Sequence, residues 1–251
     1  MTNAPTKPEN TPPLHIFPVT VRYHEAGPHG VMRLSALADW LQEAAGESAT
    51  RLGFGFDHLM QHNVAWVLTR LALRITRMPR AGETIAVHTW PSSRDHGIAL
   101  RGFELQDAAG ATLATATTAW AVFDPAARKL AAMPAVIEQT LPPVCHPCQP
   151  FAVRTLPRLR DTTHQCTIIA RRDDLDLNNH VNNARYMGWV LESLPDTTGT
   201  LRELDVMFRA ECFAGETLTS CCAATDAPNT WLHSIRRPDA TEAVRALTVW
   251  G

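Results

Sequence analysis

No segment of this chain approaches the roughly 20 consecutive apolar residues that a membrane-spanning helix needs. A dominant charge is lacking too. Twenty-three Lys and Arg against 25 Asp and Glu leave a net charge of −2, so nothing global draws the chain to nucleic acid or an acidic membrane. Six cysteines in 251 residues do not suggest a disulfide scaffold, and a reducing, cytoplasmic setting is expected. Cys145-His-Pro-Cys148 has the spacing of half a zinc site or of a redox pair. The adjacent Cys221 and Cys222 cannot supply the other half, so no metal is expected. There is no GxSxG nucleophile elbow. Gly53-Phe-Gly55 lacks the third glycine of a dinucleotide fingerprint, and His29 lies one residue too far from His24-Glu25 for HExxH zinc geometry. The opening MTNAPTKPENTPP has no apolar h-region and reads as a short disordered leader, residues 1–14, rather than a signal peptide.

What is present is a core-forming composition, 45% hydrophobic and 19% charged, and an internal repeat. GVMRLSALADWLQEA (30–44) and VNNARYMGWVLESL (181–194) both carry apolar residues at helical spacing, and each places a tryptophan three residues before a glutamate. Strand-like runs follow, 64–90 and 201–221, and both contain Ala-Gly-Glu-Thr, at Ala81–Thr84 and Ala214–Thr217. Glycine in such a turn is the expected hairpin signal. Each half ends on a matching strand, with Thr118-Ala-Trp120 against Thr248-Val-Trp250. One helix followed by antiparallel strands buries one sheet face under that helix. The expected fold is therefore α+β, a tandem hotdog in which each unit is a long central helix wrapped by an antiparallel sheet. The units span 15–135 and 160–251, and the Pro-rich segment 136–159 links them.

The two copies differ at one place. Aligning Trp40 with Trp189 sets Gly27, His29 and Val31 against Asp176, Asn178 and His180. The polar set belongs to DDLDLNNHVNN (173–183), and only the second half has it. Read as an extended segment, DLDLNNH sends Asp176, Asn178 and His180 to one side and its leucines to the other. It runs into a helix starting near 180–182, where asparagines can cap and unpaired amides favour developing negative charge. A carboxylate, an amide and an imidazole at such a place suit carbonyl chemistry. A cluster that merely caps the helix is the plainer alternative.

DLDLNNHVNNARYMGWVLES resembles the signature of acyl-acyl carrier protein thioesterases. The resemblance extends through WVLTRLALRITRMPRAGETIAVHTW in the first half and RAECFAGETL in the second, so it covers most of residues 15–250. It implies a double hotdog in which the first half shapes the acyl pocket and the second carries catalysis. Carried over, the family's site falls on Asp176, Asn178, His180 and Glu211, and Cys212 matches a cysteine proposed there as nucleophile. Asp174 departs from the serine usual in the family. A thioester's leaving thiol needs little general-acid help. The expected mechanism therefore makes Glu211 the base for water, with Asp176 positioning that water and Asn178 and His180 holding the carbonyl. Cys212 ranks below Glu211, because neighbours in a strand face opposite sides.

The apolar slot for the acyl chain is expected from the first-half helix and its facing strand, with Leu37, Leu41 and Trp66 near its open end. Arg171 and Arg172 are the expected contacts for an acidic carrier protein bearing the substrate. No cofactor is implied, and neither nucleic acid nor membrane is an expected partner. A single chain with two hotdogs or a homodimer of such chains would both pair the units. An acyl-CoA thioesterase, a hotdog dehydratase and a non-catalytic acyl-binding hotdog remain alternatives.

Overall fold

The computed structural model describes residues 14–95, 97–140, 149–195 and 199–251. Most of the leader and Cys145-His-Pro-Cys148 lie outside them. The strands are β1 (His15–Thr20), β2 (Ala65–Ile75), β3 (Thr84–Asp95), β4 (Ile98–Asp107), β5 (Thr112–Asp124), β6 (Lys129–Leu130), β7 (His164–Ile169), β8 (Leu201–Phe208), β9 (Thr217–Ala224), β10 (Thr230–Arg236) and β11 (Glu242–Trp250). The helices are α1 (Leu34–Arg51), α2 (Phe56–Met60), α3 (Ala135–Thr140) and α4 (Asn183–Trp189).

All of these strands belong to one antiparallel sheet in the order β1-β3-β4-β5-β2-β8-β11-β10-β9-β7, with β6 folded back on β5. The order is a palindrome. The first five strands run outward from β2, and their counterparts run outward from β8 in the same sequence. The likeness reaches single hydrogen bonds. The Trp120 indole donates to Thr118 Oγ1 at 2.8 Å, and the Trp250 indole donates to Thr248 Oγ1 at 3.0 Å.

The two glycine turns do not close hairpins, contrary to the sequence expectation. β2 pairs with β5 and β8, whereas β3 pairs with β1 and β4. The central position of β2 forces the chain to cross to the other side of its half before β3 begins. The turn serves that crossing. Gly82 (φ +80°) donates to Val21 O, and Gly215 (φ +87°) donates to Ala170 O, each at 2.8 Å. A positive φ suits glycine in both places.

β2 and β8 make the seam, with Leu71 opposite Val206 and Leu73 opposite Leu204. These side chains join Leu37 and Leu41 of α1 and Met187 of α4 in one core that ignores the boundary between halves. α4 is shorter than the periodicity of 181–194 predicts. The sheet takes its last carbonyl and one beyond its end: the Ser220 hydroxyl donates to Trp189 O at 2.8 Å, and the Cys222 thiol donates to Ser193 O at 3.2 Å. Satisfied this way, the chain leaves the helix without a left-handed cap. A second, smaller cluster of Ala49, Phe54, Leu59, Val64, Val122 and Ile137 gathers at the C-terminal turn of α1.

Candidate active site

The segment before α4 is a tight loop, not the extended run expected. A turn at Arg172–Asp174 is closed by Asp174 Oδ2, which accepts from Arg171 N at 2.8 Å. Leu175 then bridges to Val181, and the five residues between them fold back on themselves. Asp176 N donates to His180 O at 2.8 Å and Asn179 N donates to Asp176 O at 3.0 Å. Asp176 Oδ1 accepts from the amides of Asn178 at 2.8 Å and His180 at 3.3 Å. Asn179 takes φ +61°, a conformation asparagine tolerates better than most residues. Alternation along DLDLNNH is therefore broken: Leu175 packs on the core, whereas Leu177 is 99% exposed. An aspartate able to accept its own loop's amides makes a turn where period-two reasoning sees a strand.

Asn182 caps α4, accepting from Ala184 N at 2.9 Å. One amide expected to face a ligand is thus already satisfied. The Gln42 side chain reaches across from α1 to the same Asn182 oxygen at 3.4 Å.

The loop holds His180 with its ring edge-on to Phe213, 5.2 Å between centroids. Its Nδ1 lies 3.5 Å from Glu211 Oε1. Glu211 sits past the end of β8, and Val181 N donates to Cys212 O at 2.9 Å, which fixes this segment against the loop. The other carboxylate oxygen, Oε2, accepts from Arg128 at 2.8 Å. Arg128 comes from the β5–β6 turn (φ +50°), so the carboxylate is gripped by residues from both halves. Neighbouring Cys212 faces the other way. It is fully buried in the main core against Tyr186, and burial pushes its thiol up from the ordinary range. The opposite facing expected of these two residues holds, although they lie in a loop rather than a strand.

A cavity of about 200 Å³ opens beside the loop. Asn178 forms part of its wall, together with Ala45, Gly46 and Ala49 of α1 and with Trp66, Trp120 and Phe54. Trp66 lines this cavity, its indole donating to Phe54 O at 3.0 Å. Leu37 and Leu41 do not line it: both are 1% exposed in the main core, and the α1 residues in the cavity wall are Gln42, Ala45, Gly46 and Ala49. A helix turns each residue 100° from the last, so equally spaced apolar positions do not all face one space. Arg171 and Arg172 are exposed on the surface leading into the loop. Among the described residues no His, Cys, Asp and Glu cluster could hold a metal ion, and no helix is long and apolar enough to cross a membrane.

Arg128 and Gln42 escaped the sequence reading. Each acts across the boundary between halves, and neither lies in a motif. Arg128 sits in DPAARK, which reads as an ordinary polar turn.

Two family descriptions match the chain in order: the acyl-ACP thioesterase N-terminal domain over residues 17–141 and the acyl-ACP thioesterase C-terminal domain over residues 159–251. A chloroplastic palmitoyl-acyl carrier protein thioesterase from Gossypium hirsutum is 30% identical over 92% of this chain, and the match covers 62% of that protein's length. A chloroplastic dodecanoyl-[acyl-carrier-protein] hydrolase from Cinnamomum camphora is 26% identical over 99% of this chain and 74% of its own. Among solved structures, one described as an oleoyl thioesterase from Lactobacillus plantarum superposes with a TM-score of 0.86 at 26% identity, covering 96% of this chain and 97% of that one. The 12:0-ACP thioesterase from Umbellularia californica has the same fold, with a TM-score of 0.83 at 24% identity over 95% and 97%. With both parts matched in sequence order and the tandem hotdog in place, this chain belongs to the acyl-ACP thioesterase family.

Proposed function

We propose that the protein hydrolyses the thioester of a fatty acyl-acyl carrier protein, releasing the free fatty acid and so ending fatty-acid synthesis. The observation that carries this reading is the meeting of Glu211, His180 and Arg128 beside a cavity whose wall includes Asn178. Arg128 holds Oε2 and leaves Oε1 to accept a proton. Water on the Oε1 side attacks the acyl carbon, and its proton passes to Glu211. Asn178 and His180 donate to the carbonyl oxygen as it becomes an oxyanion. Collapse breaks the carbon–sulfur bond, and the departing thiolate recovers the proton. A thiol of pKa around 8.5, by analogy with cysteine, leaves readily. Asp176 acts by holding the loop, since its Oδ1 is spent on two backbone amides. Water is the only co-substrate, and no cofactor is called for.

The 3.5 Å contact between His180 Nδ1 and Glu211 supports a second division of labour. In it, Glu211 orients the ring and Nε2 of His180 takes the proton from water. His180→Ala then abolishes turnover as fully as removal of Glu211, whereas loss of one oxyanion donor costs about 10²–10³-fold.

The deciding experiment is product analysis with a ladder of acyl groups, each offered on carrier protein and on CoA. Free fatty acid from the carrier-linked series is the expected result, and none at any length would sink the reading. Arg172→Glu is expected to raise KM for carrier-linked substrate several-fold and leave the CoA thioester unchanged. Equal effects on both would remove the docking role.

Chain length has its own test at Gly46. It lines the cavity from α1, and a Cβ there meets nothing within 4 Å. Gly46→Leu should fill part of the slot and move the product profile toward shorter chains. It should also raise the melting point, because glycine inside a helix costs about 0.8–1 kcal/mol relative to alanine. A more stable variant with an unaltered product profile would show that the acyl chain lies elsewhere.

A further inference from the structure

Arg101, on β4, lines the acyl cavity and brings to it a charge that the mechanism above does not use and an aliphatic chain does not need. It is 5% exposed. Its NH1 donates to Ser48 Oγ at 2.9 Å and to Thr89 Oγ1 at 3.1 Å. Among the described residues no carboxylate pairs with it, and burial alone lowers it to about 10, so it keeps its charge at neutral pH. The other cavity arginine, Arg94, is paired with Glu138 at 3.3 Å. A guanidinium carries five N–H donors, and the two bonds here both start from NH1. A buried charge without a partner of opposite sign is costly. Around it the wall is mainly apolar: Ala45, Ala49, Phe54, Trp66, Leu100 and Trp120.

The position along the cavity is also defined. Gln42 marks the end near the catalytic loop, through its contact with Asn182. Ser48, which holds Arg101, lies six residues further along α1, about 9 Å at 1.5 Å per residue. The charge therefore sits along the path of a bound acyl chain, away from its thioester end.

Resting on the thioesterase reading, we propose that Arg101 forms a polar subsite in the wall of the acyl cavity, away from the catalytic loop, that recognises a carboxylate at the distal end of the acyl group. The favoured substrates are then ω-carboxyacyl thioesters. The guanidinium fork suits a carboxylate, which would engage donors other than the NH1 bonds to Ser48 and Thr89 and neutralise its charge. A methyl terminus would leave both unmet and shield them from water.

The test compares straight-chain acyl pantetheine thioesters of graded length with their ω-carboxy counterparts. At the best-fitting length the wild-type protein should show kcat/KM at least about 10-fold higher for the ω-carboxy form. Each 10-fold preference corresponds to about 1.4 kcal/mol. Arg101→Met should reverse the preference, and Arg101→Lys, which keeps the charge without the fork, should fall between. A wild-type preference for the methyl-terminated chain at every length would overturn the proposal, as would the same ratio in wild type and Arg101→Met.

Binding gives a readout without turnover. Dicarboxylic acids should quench the fluorescence of Trp66 and Trp120 at lower concentration than monocarboxylic acids of equal length. If monocarboxylic acids bind as tightly, a fatty acid entering carboxylate-first accounts for Arg101 and the ω-carboxy assignment fails. If Arg101→Met does not fold, the wild-type binding comparison decides. If no thioester is cleaved but dicarboxylic acids still bind preferentially, the subsite stands and the hydrolase reading falls.

Discussion

Glu211→Gln is expected to lower kcat by about 10²–10⁴-fold, the usual contribution of a positioned general base, and to change KM little. The amide keeps the size and shape of the carboxylate and can still lie against Arg128 and His180, but it cannot take a proton from water. The loss should therefore fall on the chemical step rather than on folding or substrate capture. The companion variant is Cys212→Ser. Cys212 is fully buried, its thiol is pushed up by that burial, and its side chain packs in the core away from His180. A thiol raised in this way supplies little thiolate, and a core side chain cannot reach an acyl carbon in the cavity. Cys212→Ser should keep turnover within a few-fold of wild type and lose some stability from the polar atom placed in the core. Steady-state kinetics on both variants, with mass spectrometry for a covalent acyl adduct, decide the matter. A trapped acyl-Cys212, or an active Glu211→Gln beside a dead Cys212→Ser, would reverse the assignment.

The sequence made the architecture readable because its signals repeat. A helix, a glycine turn and a Thr-x-Trp strand occur twice in the same order, and the coincidence of weak local signals carries the fold class where one copy would not. The strand order stayed hidden. Nothing local in 64–90 tells β2 to pair with β8, more than 120 residues later, instead of with β3. The site was legible to a similar depth. His180 and Glu211 fall within 3.5 Å of each other, and the family resemblance had placed both in the site. The loop conformation was not legible, because Asp176 satisfies backbone amides that a strand would have paired elsewhere. Leu37 and Leu41 were placed in the slot because helical spacing names a face without saying where along the axis the core ends and the cavity begins. Arg101 and Arg128 went unnoticed for one reason: an isolated arginine acquires meaning only from what faces it in the fold, Ser48 and Thr89 within the first half for Arg101 and Glu211 across the boundary for Arg128.

The same boundary sets the second large effect. Arg70 of β2 donates from Nε and NH2 to the two oxygens of Asp205 on β8, at 2.8 and 2.7 Å, with side-chain exposures of 6% and 13%. Its NH1 also donates to the carbonyls of Val153 and Arg154, and its guanidinium lies 4.2 Å from the centroid of the Phe151 ring. Asp205→Ala strands that buried guanidinium at the seam, and breaking a pair of this kind costs about 3–5 kcal/mol. The remaining carbonyl bonds favour the lower end of the range. The double variant Arg70→Leu/Asp205→Leu removes charge and partner together and should be more stable than Asp205→Ala alone, since an apolar pair in a buried seam is often close to neutral. Urea denaturation gives both midpoints. A midpoint for Asp205→Ala within about 0.5 kcal/mol of wild type, the range of ordinary surface substitutions, would mean the pair does not hold the seam. Activity should fail with the seam, because Arg128 and most of the cavity wall come from one side of it and His180 and Glu211 from the other. A partly denatured Asp205→Ala protein should thus lose turnover in step with the parting of β2 from β8, while each half's own strands can stay paired.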